Sequence, residues 1–169
     1  ARASPRELAH DVGLCRTGDP GICGREREIL RSSDPCTPAG SPFLVLGHEC
    51  VARAEAVGDE VSEWQVGDLV VPVVRRGLAG ETRRADYLPV GKFTERGIWS
   101  EDGFSAPLWL DKPQHLFRVP ANVADIAVFA EPMAVAEKGV NEAHVLQQAR
   151  LGEDVWRETS PRVLVTGLG

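Results

Sequence analysis

A chain of 169 residues with 43% hydrophobic and 26% charged residues has the length and composition of a folded globular protein with a real core. Its net charge of −6 excludes an electrostatic footprint for nucleic acid, since the arginines at 25, 27 and 31, at 75–76 and at 83–84 all have acidic neighbours. No apolar run approaches the ~20 residues that span a bilayer and the N-terminus lacks the apolar core of a signal peptide, so the expectation is no membrane partner and a cytoplasmic protein.

Residues 1–42, rich in Gly, Pro, Ser, Asp and Arg, read as irregular apart from a short helix over Gly24–Arg31. From Phe43 the texture changes. Phe43–Leu46, His48–Val57 and Leu69–Val74 carry branched apolar residues at strand length, separated by glycines at 47, 58 and 67. Residues 75–105 read as a long polar loop or lobe, and loops of that length in compact domains are often functional. Ala106–Leu110 and His115–Val119 read as two further short strands. From Ala124 the period turns helical, predicting one helix near 124–130 and a longer one near 132–148 with Pro132 in its first turn. Pro161-Arg162 then leads into a buried strand, Val163–Val165, and the start of a glycine-rich dinucleotide turn, Gly167-Leu168-Gly169. Residues 43–120 are therefore expected to form a largely antiparallel, partly open β-barrel.

Two segments carry metal chemistry. Cys23 lies in Gly21-Ile-Cys-Gly-Arg-Glu-Arg-Glu-Ile29, and His48 closes the apolar run Phe43-Leu-Val-Leu-Gly-His48. A thiolate and an imidazole are borderline-soft ligands suited to Zn²⁺. Glu131, in Phe129-Ala-Glu-Pro-Met133, supplies a carboxylate at a helix start. The four cysteines, at 15, 23, 36 and 50, form no C-x-x-C pair, so metal binding or burial is expected rather than disulfides.

These segments, taken in order, resemble the medium-chain, zinc-dependent alcohol and sugar dehydrogenases, and within them the glucose dehydrogenase branch. The resemblance runs through 21–29, Leu44-Val-Leu-Gly-His-Glu49, Glu63-Trp-Gln-Val-Gly-Asp68 with its continuation to Arg76, Glu95-Arg-Gly-Ile98, Asp102-Gly-Phe104 and Glu131-Pro-Met-Ala-Val-Ala-Glu-Lys138. It implies a mainly β fold with flanking helices. A GroES-like catalytic domain would occupy 1–160, with incomplete N-terminal strands, and 161–169 would open a truncated Rossmann domain.

The resemblance also implies one catalytic zinc held by Cys23, His48, Glu49 and Glu131, with Glu49 either a ligand or an anchor for a nearby arginine. Glu49 and Glu131 would serve catalysis; Glu95, Asp102 and Glu131 would contact a sugar or polyol; and Gly167, Leu168 and Gly169 would meet NAD or NADP. The implied activity is hydride transfer from a sugar hydroxyl by the intact protein, the 169-residue chain being inactive alone. Oligomerisation would run through the domain beyond it.

Three departures qualify this. The family reads Cys-Gly-Thr-Asp where this chain has Cys23-Gly-Arg25-Glu26. Gly13-Leu-Cys15-Arg-Thr17-Gly-Asp19 resembles a second copy that keeps the threonine, so Cys15 is an alternative ligand, although the spacing to His48 favours Cys23. The lobe at 77–97 has no cysteines, so no structural zinc is expected. Two other readings stand beside the dehydrogenase: a non-catalytic or remnant zinc-binding GroES-like module, and a zinc-free quinone or enoyl reductase relative.

Overall fold

A computed structural model of the protein describes residues 8–33, 35–81, 84–152, 154, 162 and 164–166. Two compact units divide the chain, Ala1–Glu131 and Pro132–Gly169.

The first unit is built on a five-stranded antiparallel sheet. Its strands are β1 (Gly13–Gly21), β2 (Glu49–Val57), β3 (Leu69–Pro72), β7 (Leu108–Asp111) and β8 (Leu116–Arg118), in the order β7-β1-β2-β3-β8. A flat five-stranded sheet would hold its edges about 19 Å apart, four spacings of ~4.8 Å. Here the two edge strands are joined only by residues 112–115, which include a 3₁₀ turn at Pro113–His115. Such a turn advances about 2 Å per residue, so the sheet must curl and bring its edges towards each other. That curl is the partly open barrel.

A second, three-stranded sheet consists of β4 (Arg75–Gly77), β5 (Phe93–Arg96) and β6 (Ser100–Glu101). Helix α1 (Gly24–Arg31) lies between β1 and β2 in the chain, and a 3₁₀ segment at Ala121–Phe129 runs into helix α2 (Ala130–Leu151).

Strand β1 corrects the sequence reading, which left 13–21 irregular. Glycines at 13, 18 and 21 and Pro20 give this stretch poor strand propensity, yet it is a central strand. Its register against β2 slips between Leu14 and Cys15 and between Thr17 and Pro20, and these bulges absorb the misfit residues. Gly13 is required by packing, because a Cβ there would lie 1.8 Å from Trp64 Cη2.

The core gathers Cys15, Cys50, Ala52, Ala54, Trp64, Val70, Phe104, Trp109 and Leu116. Small side chains on β1 and β2 leave room for the aromatic ones, and the Phe104 and Trp109 rings pack with centroids 4.7 Å apart. Phe104 is fully buried, which stabilises the fold by about 1.5–3 kcal/mol. Thr17 reaches from β1 to the backbone carbonyl of Phe104 at 2.9 Å and accepts the Trp109 indole N–H at 3.1 Å.

Two more expectations are corrected. Phe43–Leu46 is not a strand: its carbonyls meet the irregular segment 103–105 instead, with Gly103 N–H donating to Val45 O and Ser105 N–H to Leu46 O. Residues 75–105 are not one loop, because the three-stranded sheet folds most of them back. The helical expectations for 24–31 and 132–148 match α1 and α2, whereas 124–130 is largely 3₁₀.

In the second unit the described part is mainly the continuation of α2. Met133, Val135, Val140 and Val145 lie around its circumference and are exposed. Among the described residues no helix is long and apolar enough to cross a membrane. Leu164 and Val165 are exposed and belong to no strand, so the expected buried strand is not formed by them. Val163, Gly167, Leu168 and Gly169 lie outside the described residues.

Candidate metal centre

Strand register closes the distance between the two motifs. Gly21 at the end of β1 pairs with Glu49 at the start of β2, so Cys23, two residues further, comes beside His48. Gly21 admits the Glu49 side chain over its backbone, for a Cβ there would lie 2.1 Å from Glu49 Oε2. The loop carrying His48 is seated by glycines too. Gly47 has φ +95°, and Cβ atoms on Gly97 and Gly103 would lie 2.4 and 2.3 Å from the Gly47 carbonyl oxygen. Only residues without side chains let these three backbone segments touch.

Helix α1 places the thiol. Cys23 is its N-cap, with Sγ accepting the Arg25 N–H at 3.2 Å, and Glu26 completes a capping box by accepting the Cys23 N–H at 3.0 Å. The other Glu26 oxygen lies 2.6 Å from His48 Nδ1, and neither of those two atoms has another partner among the described residues. With Nδ1 facing a carboxylate, the favoured tautomer carries its hydrogen there and leaves the Nε2 lone pair free. His48 Nε2 faces the opposite way, 3.4 Å from Cys23 Sγ and 3.8 Å from Glu49 Oε1.

Cys23, Glu26 and His48 offer ligand atoms within 4.8 Å of one another, as do His48, Glu49 and Glu131. His48, Glu26 and Glu49 are nearly inaccessible, their side chains 5%, 7% and 12% exposed. Burial pushes the Glu131 carboxyl above its usual range; His48 opposes this, while Glu49, Glu26 and Glu95 add to it. The Cys23 thiol is raised as well, chiefly by burial, with the Arg25 N–H acting against the rise and Glu26 and Glu49 reinforcing it. Both shifts come first from burial and then from the neighbouring carboxylates, an environment that a divalent cation would relieve.

The structure separates the two cysteine registers. Cys15 is wholly buried in the core on β1, where desolvation pushes its thiol up to about 12. Thr17, the threonine that the second motif copy keeps, is spent on backbone carbonyls and Trp109. Glu95 Oε1 receives the Arg75 guanidinium at 2.9 Å from Nε and 2.8 Å from Nη2. Asp102 Oδ1 accepts the Val45 N–H at 2.8 Å, so it braces the loop leading to His48. In the sequence Glu26 stands only as part of a motif departure. The signal was there, in the three-residue step from Cys23 that defines a capping box.

Residues 12–121 match the alcohol dehydrogenase GroES-like domain, and the chain belongs to that family. Its similarities fall on the glucose dehydrogenase branch of the zinc-dependent medium-chain dehydrogenases. Glucose 1-dehydrogenase 2 of Vulcanisaeta moutnovskia is 39% identical over 147 residues, which cover 87% of this chain and 41% of that protein. The glucose 1-dehydrogenase of Thermoproteus tenax is 43% identical over 132 residues, covering 78% of this chain and 38% of that protein. Among solved structures, Haloferax mediterranei glucose dehydrogenase in complex with NADP, Zn and gluconolactone superposes with a TM-score of 0.75 at 30% identity, over 88% of this chain and 43% of that one. The chain thus spans about two fifths of the length of the relatives it matches.

Proposed function

We propose that this chain is the metal-binding catalytic part of a zinc-dependent NAD(P) dehydrogenase that oxidises a hydroxyl of a sugar or polyol. Two clusters that share His48, one with Cys23 and Glu26 and the other with Glu49 and Glu131, carry this reading, with Cys23 Sγ and Glu49 at Nε2 and Glu26 at Nδ1. One sulfur, one nitrogen and carboxylate oxygens form a donor set that suits zinc. Cys23, His48 and Glu131 would hold the ion, with Glu49 as a ligand or at its edge. The chemistry supplied by zinc in such a site is Lewis-acid polarisation of a hydroxyl, which lowers the pKa of that group.

The residues of the chain do the rest. Glu26 fixes the tautomer and orientation of His48. Glu131 and Glu49 offer carboxylates to sugar hydroxyls or to a departing proton. Glu95, steadied by Arg75, stands as the further carboxylate for substrate, whereas Asp102 acts through the loop it braces. Burial of His48, Glu26 and Glu49 strengthens the interactions among them.

Hydride acceptance by NAD or NADP belongs to a dinucleotide domain that would open at residue 161. The four free thiols suit a reducing, cytoplasmic setting.

Metal analysis of the purified chain tests the first half of this reading: about one zinc per chain is expected, lost in Cys23→Ala and His48→Ala. A metal-free, folded wild-type protein that also fails to take up added zinc would refute it. NAD(P)-linked oxidation of glucose or a related polyol by the full-length protein tests the second half.

A further inference from the structure

The three-stranded sheet is held to the barrel by charge. On β4 and β5, Arg75 pairs with Glu95 and Arg76 with Thr94, so strand alternation sets Arg75, Phe93 and Glu95 on one face and Arg76, Thr94 and Arg96 on the other. The first face bears Glu95: the Arg75 guanidinium lies over the Phe93 ring at 4.2 Å and grips Glu95, and two residues on, Gly97 packs against the Gly47 backbone, next to His48.

The second face is anchored in β7. Arg76 clasps Asp111 with both ends of its fork, Nη1 to Oδ1 and Nη2 to Oδ2, each at 2.8 Å, and its Nε donates to the Val73 carbonyl at 2.8 Å. Arg96 lies over the Phe104 ring at 4.8 Å and approaches Asp111 Oδ2 at 3.6 Å. Arg76, Arg96 and Asp111 are all buried, and they occupy the place where a sheet of this size ordinarily puts apolar side chains. Planar bidentate pairing fixes orientation as well as distance, which an apolar contact does not.

We propose that the buried Arg76–Asp111 pair, with Arg96 beside it, is a positioning element that sets Glu95 against the His48–Glu131 cluster. This rests on reading that cluster as the sugar-binding metal site. Two contacts locate Glu95. One is its pair with Arg75, on the face of the two strands opposite the anchor. The other is the turn after β5, where Gly97 packs on Gly47 and pins that end of the strand at the His48 loop. Glu95 lies between the anchor and that pinned turn, so loosening the anchor tilts the strand that bears it, while the Gly97–Gly47 contact and the elements bearing Cys23 and Glu131 stay in place.

The test uses the full-length protein with glucose as substrate, comparing wild type with Arg76→Gln, Arg76→Lys and Glu95→Gln. Asp111 keeps Arg96 and the Lys112 N–H, donated at 2.8 Å, in both Arg76 variants, so no bare buried carboxylate results. The expected result is bound zinc unchanged, kcat within about twofold, and KM for glucose raised on the order of fivefold or more in Arg76→Gln, since small misplacements of a positioned group are costly. Arg76→Lys, which keeps the charge and loses the fork, should fall between the two, and it decides the matter if Arg76→Gln does not fold. A raised KM in Glu95→Gln with an unchanged KM in the Arg76 variants overturns the positioning role. Loss of zinc from the Arg76 variants overturns it as well, by showing that the anchor supports the metal ligands. If Glu95→Gln itself leaves KM unchanged, the reading of Glu95 as a substrate residue is what fails, and the proposal falls with it.

Discussion

Replacing Glu26 by glutamine separates two tasks that one side chain performs. One oxygen caps helix α1 through the Cys23 N–H at 3.0 Å; the other faces His48 Nδ1 at 2.6 Å. Glutamine is the other residue that completes a capping box at this position, so the amide oxygen can keep the cap and the helix start should hold. The amide NH₂ must then face Nδ1. Two donors cannot share that contact, so the imidazole is driven to the tautomer with its hydrogen on Nε2, the nitrogen that looks toward Cys23 and Glu49. Loss of such a supporting carboxylate typically costs 10–100-fold in metal affinity, about 1.4–2.7 kcal/mol. The Glu26 side chain is 7% exposed, so solvent offers little compensation.

Competition titration of zinc against a chromophoric chelator, with urea unfolding alongside, measures both quantities. Glu26→Gln should lose at least tenfold in zinc affinity, with stability within about 0.5 kcal/mol of wild type, the usual bound for a substitution that breaks no structural feature. Glu26→Ala should show the same affinity loss and a further ~0.5–2 kcal/mol from the broken cap. Unchanged affinity in Glu26→Gln would refute the reasoning. A loss beyond about a thousandfold, well past the range for a supporting group, would mean that Glu26 is itself a ligand.

Cys23→Ser should sharply reduce bound zinc, whereas Cys15→Ala should leave the metal in place and lower stability by about 0.5–3 kcal/mol as a core substitution; elemental analysis of both variants checks the two cysteine registers. Gly103→Ala sets a Cβ 2.3 Å from Gly47 O and 2.5 Å from Leu46 O, both backbone atoms. Overpacking there should cost about 1–3 kcal/mol and weaken zinc binding through the His48 loop; urea unfolding and metal titration at wild-type values would show that the contact is slack. His115 is held below its usual pKa by burial, then by Arg76 and Lys112, with Asp111 and Glu101 acting the other way. Because the unfolded chain takes up this proton at a higher pH than the folded one, the contribution of His115 to stability is lost as pH falls below its ordinary value. His115→Gln should therefore flatten the slope of stability against pH below about 6.5, the unperturbed histidine value, and an identical slope in the two proteins would count against this.

The class of fold and the residue types of the candidate site are legible in the sequence alone. Cys23 and His48 stand in short motifs whose residue types match what zinc requires, and branched apolar runs punctuated by glycine mark strands such as β2 and β3. These signals are local, so they survive in one dimension. Tertiary structure decided the rest. Strand β1 has too many glycines to be recognised by propensity, and it forms because β2 and β7 supply its pairing on both sides. The same pairing, Gly21 with Glu49, brings Cys23 to His48 and leaves Cys15 in the core, a choice that motif spacing had only favoured. Glu26 acquired its place against Nδ1 when the helix it caps met the histidine loop. The small sheet was invisible as a sheet because its inward face is arginine, and arginine reads as surface until the structure supplies Asp111 and Phe104 to bury it.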